Sequence, residues 1–154
     1  MLLFLDFDGV LHPEFEGRAA PEEMAFCHLP RFEAIMRDYP AVEIVISSMW
    51  REHFSLETLR ARFSSDIAAR IIGTTPISPR IEGKYLPARR EAEILAWLTA
   101  QGRMDEPWVA LDDAAWQFEL HLDRLVACTH YVGLDNRAET MLRAKIRALL
   151  GIVD

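Results

Sequence analysis

The stretch Leu2-Leu3-Phe4-Leu5-Asp6-Phe7-Asp8-Gly9-Val10-Leu11 constrains this chain more than any other. A short apolar run, almost free of charge, is how a strand looks when a parallel sheet buries both of its faces. This one ends in two carboxylates spaced two residues apart. If the backbone stays extended, Asp6 and Asp8 leave the strand end on the same side while Phe7 turns back into the protein, and Gly9 then lets the chain turn sharply. Two acids crowded at the C-terminal tip of a parallel strand repel one another unless a cation lies between them, and such tips are where open α/β sheets bind ligands. The stretch therefore implies a divalent metal site.

Beyond this strand, helices alternate with further strands. Residues 12–30 are broken by Pro13, Gly17, Pro21 and Pro30 and kept polar by Glu14, Glu16, Glu22 and Glu23, which reads as a flap over the metal-binding tip. Pro30 opens a helix to Asp38 with Phe32, Ile35 and Met36 on its apolar face, and Val42-Glu43-Ile44-Val45-Ile46 is a second buried strand. It ends in Ser47-Ser48. Hydroxyls at a strand end that opens a helix either cap that helix or, with its free N–H groups, cradle a phosphate. The helix itself is expected from about residue 51 to 63, on Leu56, Leu59 and Phe63. Trp50 reads as core packing ahead of a stacking platform, and Arg51 as a solvated cation or a phosphate ligand.

Residues 67–73 suggest a helical turn running into a brief strand, and 74–87 a loop carrying Arg80 and Lys84. A strong helical pattern spans 88–98. Cations at its start oppose the helix dipole, so Lys84, Arg89 or Arg90 is a candidate for facing an anionic site. Trp108-Val109-Ala110-Leu111 is a third buried strand, and it too ends in an acid pair, Asp112-Asp113. Trp116 and Phe118 are expected to pack inward after it. A fourth strand lies within 125–132, and a last helix over 137–150 is capped by Asp135 or Asn136. His12, His28, His53, His121 and His130 lack metal-ligand spacing and read as structural or surface residues.

Composition narrows the class. A chain of 154 residues, 51% of them hydrophobic, suffices for a single domain (1–154) with its own core. A net charge of −7 argues against non-specific, charge-driven binding to nucleic acid or anionic membrane. No apolar run reaches the roughly 18 residues of a membrane span, and Cys27 and Cys128 lack a CxxC spacing and read as buried thiols of a reducing compartment. A cytoplasmic protein is the expectation.

The pattern predicts an α/β fold, a three-layer sandwich around a doubly wound parallel sheet, whose functional loops share one edge. That edge would gather Asp6, Asp8, Ser47, a lysine or arginine, Asp112 and Asp113. Oxygen-only ligands favour a hard cation that also engages phosphate, namely Mg²⁺. One carboxylate can then attack phosphorus while its neighbour protonates the leaving oxygen, so that the reaction passes through an aspartyl phosphate.

Asp6-Phe7-Asp8-Gly9-Val10 resembles motif I of the haloacid dehalogenase-like (HAD) hydrolase superfamily. Val45-Ile46-Ser47 is similar to its motif II, a basic residue before Ile94 to motif III, and Ala110-Leu111-Asp112-Asp113 to the acid-pair form of motif IV. For motif III, Lys84 matches the usual residue type and Arg90 the position relative to the helix. Ser47-Ser48-Met49-Trp50-Arg51, Glu93-Ile94-Leu95-Ala96-Trp97-Leu98 and Tyr131-Val132-Gly133-Leu134 resemble the small HAD domains of bacterial RNA-repair proteins. The resemblance implies a Rossmannoid fold without a large cap and a phosphatase with Asp6 as nucleophile and Mg²⁺ ligand. Asp8 would be general acid/base, its backbone carbonyl touching the metal, with Asp113 a direct ligand and Asp112 assisting through water or hydrogen bonds. Phosphate would be held by Ser47, Ser48 and Lys84 or Arg90.

An uncapped site suits a phosphate on a polynucleotide end or on a protein, and the resemblance to RNA-repair domains points to the former, RNA or DNA; Arg51, Arg80, Lys84, Arg89 and Arg90 are the cations that could form a patch beside it. Two other readings compete: a catalytically silent phosphate-binding module on the same fold, which the presence of both Asp6 and Asp8 disfavours, and a receiver-type phosphoacceptor domain, which would need an acid where the middle strand ends in Ser47. A small-molecule phosphatase is a further alternative within the enzyme class.

Overall fold

The structure is a computed structural model in which residues 1–15, 21–79 and 87–153 are described. Five parallel strands form one sheet in the order β3-β2-β1-β4-β5: β1 (Leu2–Leu5), β2 (Glu43–Ile46), β3 (Ile71–Thr74), β4 (Trp108–Asp112) and β5 (Leu125–Ala127). Helices α1 (Leu29–Asp38), α2 (Leu56–Arg60), α3 (Ser65–Ala68), α4 (Arg89–Ala100) and α5 (Asn136–Leu150) cover it. This is the α/β three-layer arrangement that the alternating pattern predicts.

Period-two alternation sorts the strand residues onto two faces. Leu3, Leu5, Ile44, Ile46, Val109, Leu111 and Val126 pack with Phe32, Ile35 and Met36 of α1, Leu59, Ile67, and Ala138, Leu142 and Ile146 of α5. Leu2, Phe4, Val45, Trp108, Ala110 and Leu125 pack instead with Ile94, Trp97 and Leu98 of α4 and with Phe118. Phe4 meets both Trp97 and Trp108 edge-on, at 5.7 Å between ring centroids in each case. The central strands are thus sealed on both sides, as their near-continuous apolar sequence requires.

Two expectations need correction. The helix expected over 51–63 is broken into a 3₁₀ turn (Met49–Glu52) and α2, because Ser55 restarts the chain as an N-cap, its hydroxyl accepting from the Thr58 N–H at 3.1 Å. The segment at 67–73 follows its expectation: a helical turn, α3, runs into a brief edge strand, β3, which is the fifth strand of the sheet. Cys27 is exposed while Cys128 is buried. Burial, with the nearby charges of Asp113 and Asp112, pushes the Cys128 thiol above its ordinary range. No helix among the described residues is long and apolar enough to cross a membrane.

Candidate active site

The C-terminal ends of β1, β2 and β4 lie side by side because their ladders run in register past the strand ends. The Asp6 N–H donates to the Leu111 carbonyl (3.1 Å), Ser47 N–H to Leu5 (2.9 Å) and Thr75 N–H to Ile46 (3.0 Å). Leu5 pairs with Leu111, so Asp6 and Asp112 follow as neighbours. Asp6, Asp112 and Asp113 each offer a carboxylate oxygen, and these oxygens all lie within 4.8 Å of one another.

Arg90, in the first turn of α4, reaches into this group. Its Nη1 lies 2.5 Å from Asp112 Oδ2 and 3.3 Å from Asp6 Oδ2. Burial works against its charge, but the carboxylates of Asp6 and Asp112 win, and its pKa is raised above the usual arginine value. Asp112 also accepts from the Ala114 N–H at 2.8 Å, and Asp6 from the Phe7 N–H at 2.8 Å. Burial and the charge of Asp6 still push Asp112 up to about 6. Asp113 rises further, to about 9, through burial and then the charges of Asp6 and Asp112. Three acids with one arginine between them hold surplus negative charge that a bound cation would relieve.

The tight fit extends to the backbone. A Cβ on Gly9, whose φ is +72°, would fall 2.2 Å from Asp113 Oδ2, so the close approach of the two strand tips depends on that glycine. Asp8 departs from the extended geometry expected for it. β1 ends at Leu5, and the Phe7 carbonyl accepts from the N–H groups of Val10 and Leu11, so Asp8 already sits in a turn. Its carboxylate is turned onto His12 Nε2 (Oδ1, 2.8 Å) and Trp50 Nε1 (Oδ2, 3.0 Å) and does not join the acid cluster. The Phe26 N–H approaches His12 Nδ1 at 3.4 Å, which assigns the ring proton to Nε2 and makes His12 the donor to Asp8.

Other expected site residues divide. Ser47 and Ser48 are buried at the β2 tip, with Ser48 Oγ accepting from the Trp50 N–H at 3.3 Å as a helix cap. Lys84 and Arg80 lie outside the described residues. Arg51 is neither solvated nor turned to the site: it donates to the carbonyls of Ser47, Ser48, Thr75 and Pro76 and pairs with Glu93 at 2.6 Å. Arg89 is held by Glu93 and the Ser78 carbonyl. Of the five cations expected to form a patch, the three described, Arg51, Arg89 and Arg90, are each held by internal partners.

Sequence reasoning missed three neighbours of the site. His12 carried its signal in sitting four residues after Asp8, within reach across one turn. Trp50, expected in the core, does pack against Phe7, Phe26 and Phe54, and its indole N–H also holds Asp8. Trp116, expected to pack inward, is 60% exposed instead, although Phe118 is buried. It lines a cavity of about 150 Å³ together with Asp6, Asp8, Glu14, Arg90, Asp113 and Gln117.

A family model described as the HAD domain in Swiss Army Knife RNA repair proteins matches residues 2–138. The chain belongs to this family. No curated protein and no solved structure matches it. HAD domains are generally hydrolases of the phosphatase kind that use a divalent metal. The donor set of this HAD domain fits such an ion: hard carboxylate oxygens from two neighbouring strand tips, close enough to share one cation, with unbalanced negative charge.

Proposed function

We propose that this HAD domain is a Mg²⁺-dependent phosphomonoesterase that works through an aspartyl phosphate on Asp6 and acts on terminal phosphates of nucleic acid. The observation that carries the reading is the convergence of Asp6, Asp112 and Asp113, with Arg90 bridging two of them.

Asp6, Asp113 and the backbone carbonyl of Asp8 would hold the metal, with Asp112 behind them, anchored by Arg90 and the Ala114 N–H. When bound, Mg²⁺ neutralises phosphoryl oxygens and the charge that develops on them. An Asp6 carboxylate oxygen attacks phosphorus and the ester O–P bond breaks, while Asp8 gives a proton to the leaving oxygen. In the second half Asp8 takes a proton from water, the water oxygen bonds to phosphorus, and the Asp6 acyl phosphate is cleaved to carboxylate and inorganic phosphate. Ser47, Ser48 and the cation of Arg90, with Lys84 the alternative, hold the phosphoryl oxygens. The described parts of the expected flap, residues 12–15 and 21–30, would flank the site, with 16–20 outside the described residues, and the chain would act as one cytoplasmic unit. Support for a nucleic-acid end comes from the RNA-repair setting of the family.

The test is hydrolysis of an aryl phosphate with and without Mg²⁺, followed by a panel of phosphorylated RNA ends, DNA ends, mononucleotides and phosphopeptides at fixed salt. Asp6→Asn should lower turnover by about 10⁴-fold or more with its thermal unfolding unchanged, the loss expected when a covalent nucleophile is removed. Equal rates in variant and parent would rule out Asp6 as nucleophile.

A further inference from the structure

Next to the acid cluster lies a second cavity, of about 300 Å³, bounded by Glu14, Asp113, Trp116 and His130. Glu14, Asp113 and Trp116 line both this cavity and the smaller one that holds Asp6 and Arg90. A phosphoryl group placed at Asp6 therefore has its ester substituent leading into the larger space. That volume sits at the lower end of the range of about 300–1,000 Å³ typical of small-molecule sites.

We propose that this second cavity is a nucleobase subsite in which the indole of Trp116 stacks on the base of the nucleotide whose phosphate reacts. The inference rests on the phosphatase reading and adds to it the feature that selects the substrate.

Trp116 is 60% exposed on a 3₁₀ turn only three residues after Asp113, so its ring is turned out beside the reaction centre instead of into the core. The turn is also held on both sides. Gln117 Oε1 accepts from the Arg90 N–H at 3.2 Å, and Glu91 accepts from the N–H groups of Glu119 (2.7 Å) and Leu120 (3.1 Å). A large ring on an anchored segment is a preorganised platform, which loses little freedom when a flat ligand settles on it. Every nucleobase offers a π-face, and base stacking on an aromatic side chain is a common sequence-tolerant source of affinity for nucleic acid. Charge among the described residues adds little to that affinity. Of the described cations near the site, Arg51 and Arg89 are engaged internally and Arg90 is shared with Asp6 and Asp112, and the chain carries a net charge of −7. The base has to contribute what the phosphate backbone does not.

The experiment compares Trp116→Ala and Trp116→Phe with the parent on two substrate pairs: a nucleoside monophosphate against ribose phosphate, and a 3′-phosphorylated oligonucleotide against the same strand ending in an abasic site. Trp116→Ala should lose at least tenfold in kcat/KM on the base-bearing member, chiefly through KM, and several-fold less on its base-free counterpart. Trp116→Phe should recover most of the loss. Equal losses on both members of a pair, or none on either, would overturn the subsite. A direct titration separates this failure from failure of the phosphatase reading. Nucleoside monophosphate should bind the parent at least tenfold more tightly than it binds Trp116→Ala, whether or not it is hydrolysed. A parent that binds it through Trp116 but hydrolyses no phosphate keeps the subsite and loses the catalytic reading; a parent that hydrolyses phosphates with no dependence on Trp116 does the reverse.

Discussion

The two acid-bearing strand tips look alike in sequence and are wired in opposite orders. At β1 the leading acid, Asp6, joins the cluster and the second, Asp8, is turned aside onto His12 and Trp50. At β4 the leading acid, Asp112, has both oxygens engaged by Arg90 and the Ala114 N–H, and the second, Asp113, lies against Gly9. The cause is where each strand stops. β1 ends at Leu5 and the chain is already turning at Phe7, whereas β4 runs through Asp112, which keeps its place in the ladder by accepting from the Cys128 N–H at 2.9 Å. An acid's role at such a tip depends on its position relative to the turn, not on its place in the pair.

Paired substitutions can break this contrast. Asp8→Asn should lower turnover by about 10²–10⁴-fold, the usual contribution of a general acid/base, with thermal stability close to the parent's. Asp112→Asn should instead act on the fold, flattening the loss of stability between about pH 4 and pH 6 in denaturant unfolding, because burial and the charge of Asp6 disfavour the ionised carboxylate there. If both variants showed the same profile, the tips would be equivalent and the assignment wrong.

A smaller effect sharpens the β1 side. His12→Ala should reduce kcat by about 10- to 100-fold through loss of one hydrogen bond to a charged group, roughly 1.5–3 kcal/mol, while leaving the apparent affinity for Mg²⁺ within about twofold. A large change in Mg²⁺ affinity would place the His12 ring and the Asp8 carboxylate among the groups that hold the metal.

The β4 side can be probed by pH. A buried acid whose pKa is raised on folding keeps its proton in the folded state longer than in the unfolded one, so stability falls as pH climbs from the ordinary carboxylate range toward the raised value. With Asp112 near 6 and Asp113 near 9, metal-free protein should lose thermal stability progressively between about pH 4 and pH 9. Added Mg²⁺ should flatten that slope by a few degrees in melting temperature at the alkaline end, since it stabilises the ionised acids. A melting temperature that ignores Mg²⁺ across this window would separate Asp113 from any cation.

Much of this was legible in the chain. Apolar runs closed by acids located β1 and β4, and the run closed by Ser47 located β2, because strands buried on both faces leave no other place for polar residues than their ends. The break between the 3₁₀ turn and α2 was legible too, in Ser55 with Thr58 three residues on, but the apolar spacing of Leu56, Leu59 and Phe63 masked it. Other features belong to tertiary packing alone. Nothing local says that Arg51 will be swallowed by four carbonyls and Glu93, or that Arg90 and not Arg89 faces the acids, since adjacent residues on a helix differ by about 100° in direction and only the docking of α4 decides between them. Trp116 was misread for the same reason: an aromatic ring near a buried phenylalanine looks like core until the turn that carries it is placed.

The pairing of Leu5 with Leu111 makes the sheet a gauge for the chemistry. Asp6 and Asp112 occupy the next rung of that ladder, so the span between them is tied to the interstrand spacing of roughly 4.7–4.9 Å and cannot widen unless the two middle strands part. Slippage by a single residue would exchange inward for outward side chains and dismantle the centre along with the core. Adaptation to a new substrate is therefore left to the segments that overhang this edge, and the reaction centre keeps its dimensions whatever they become.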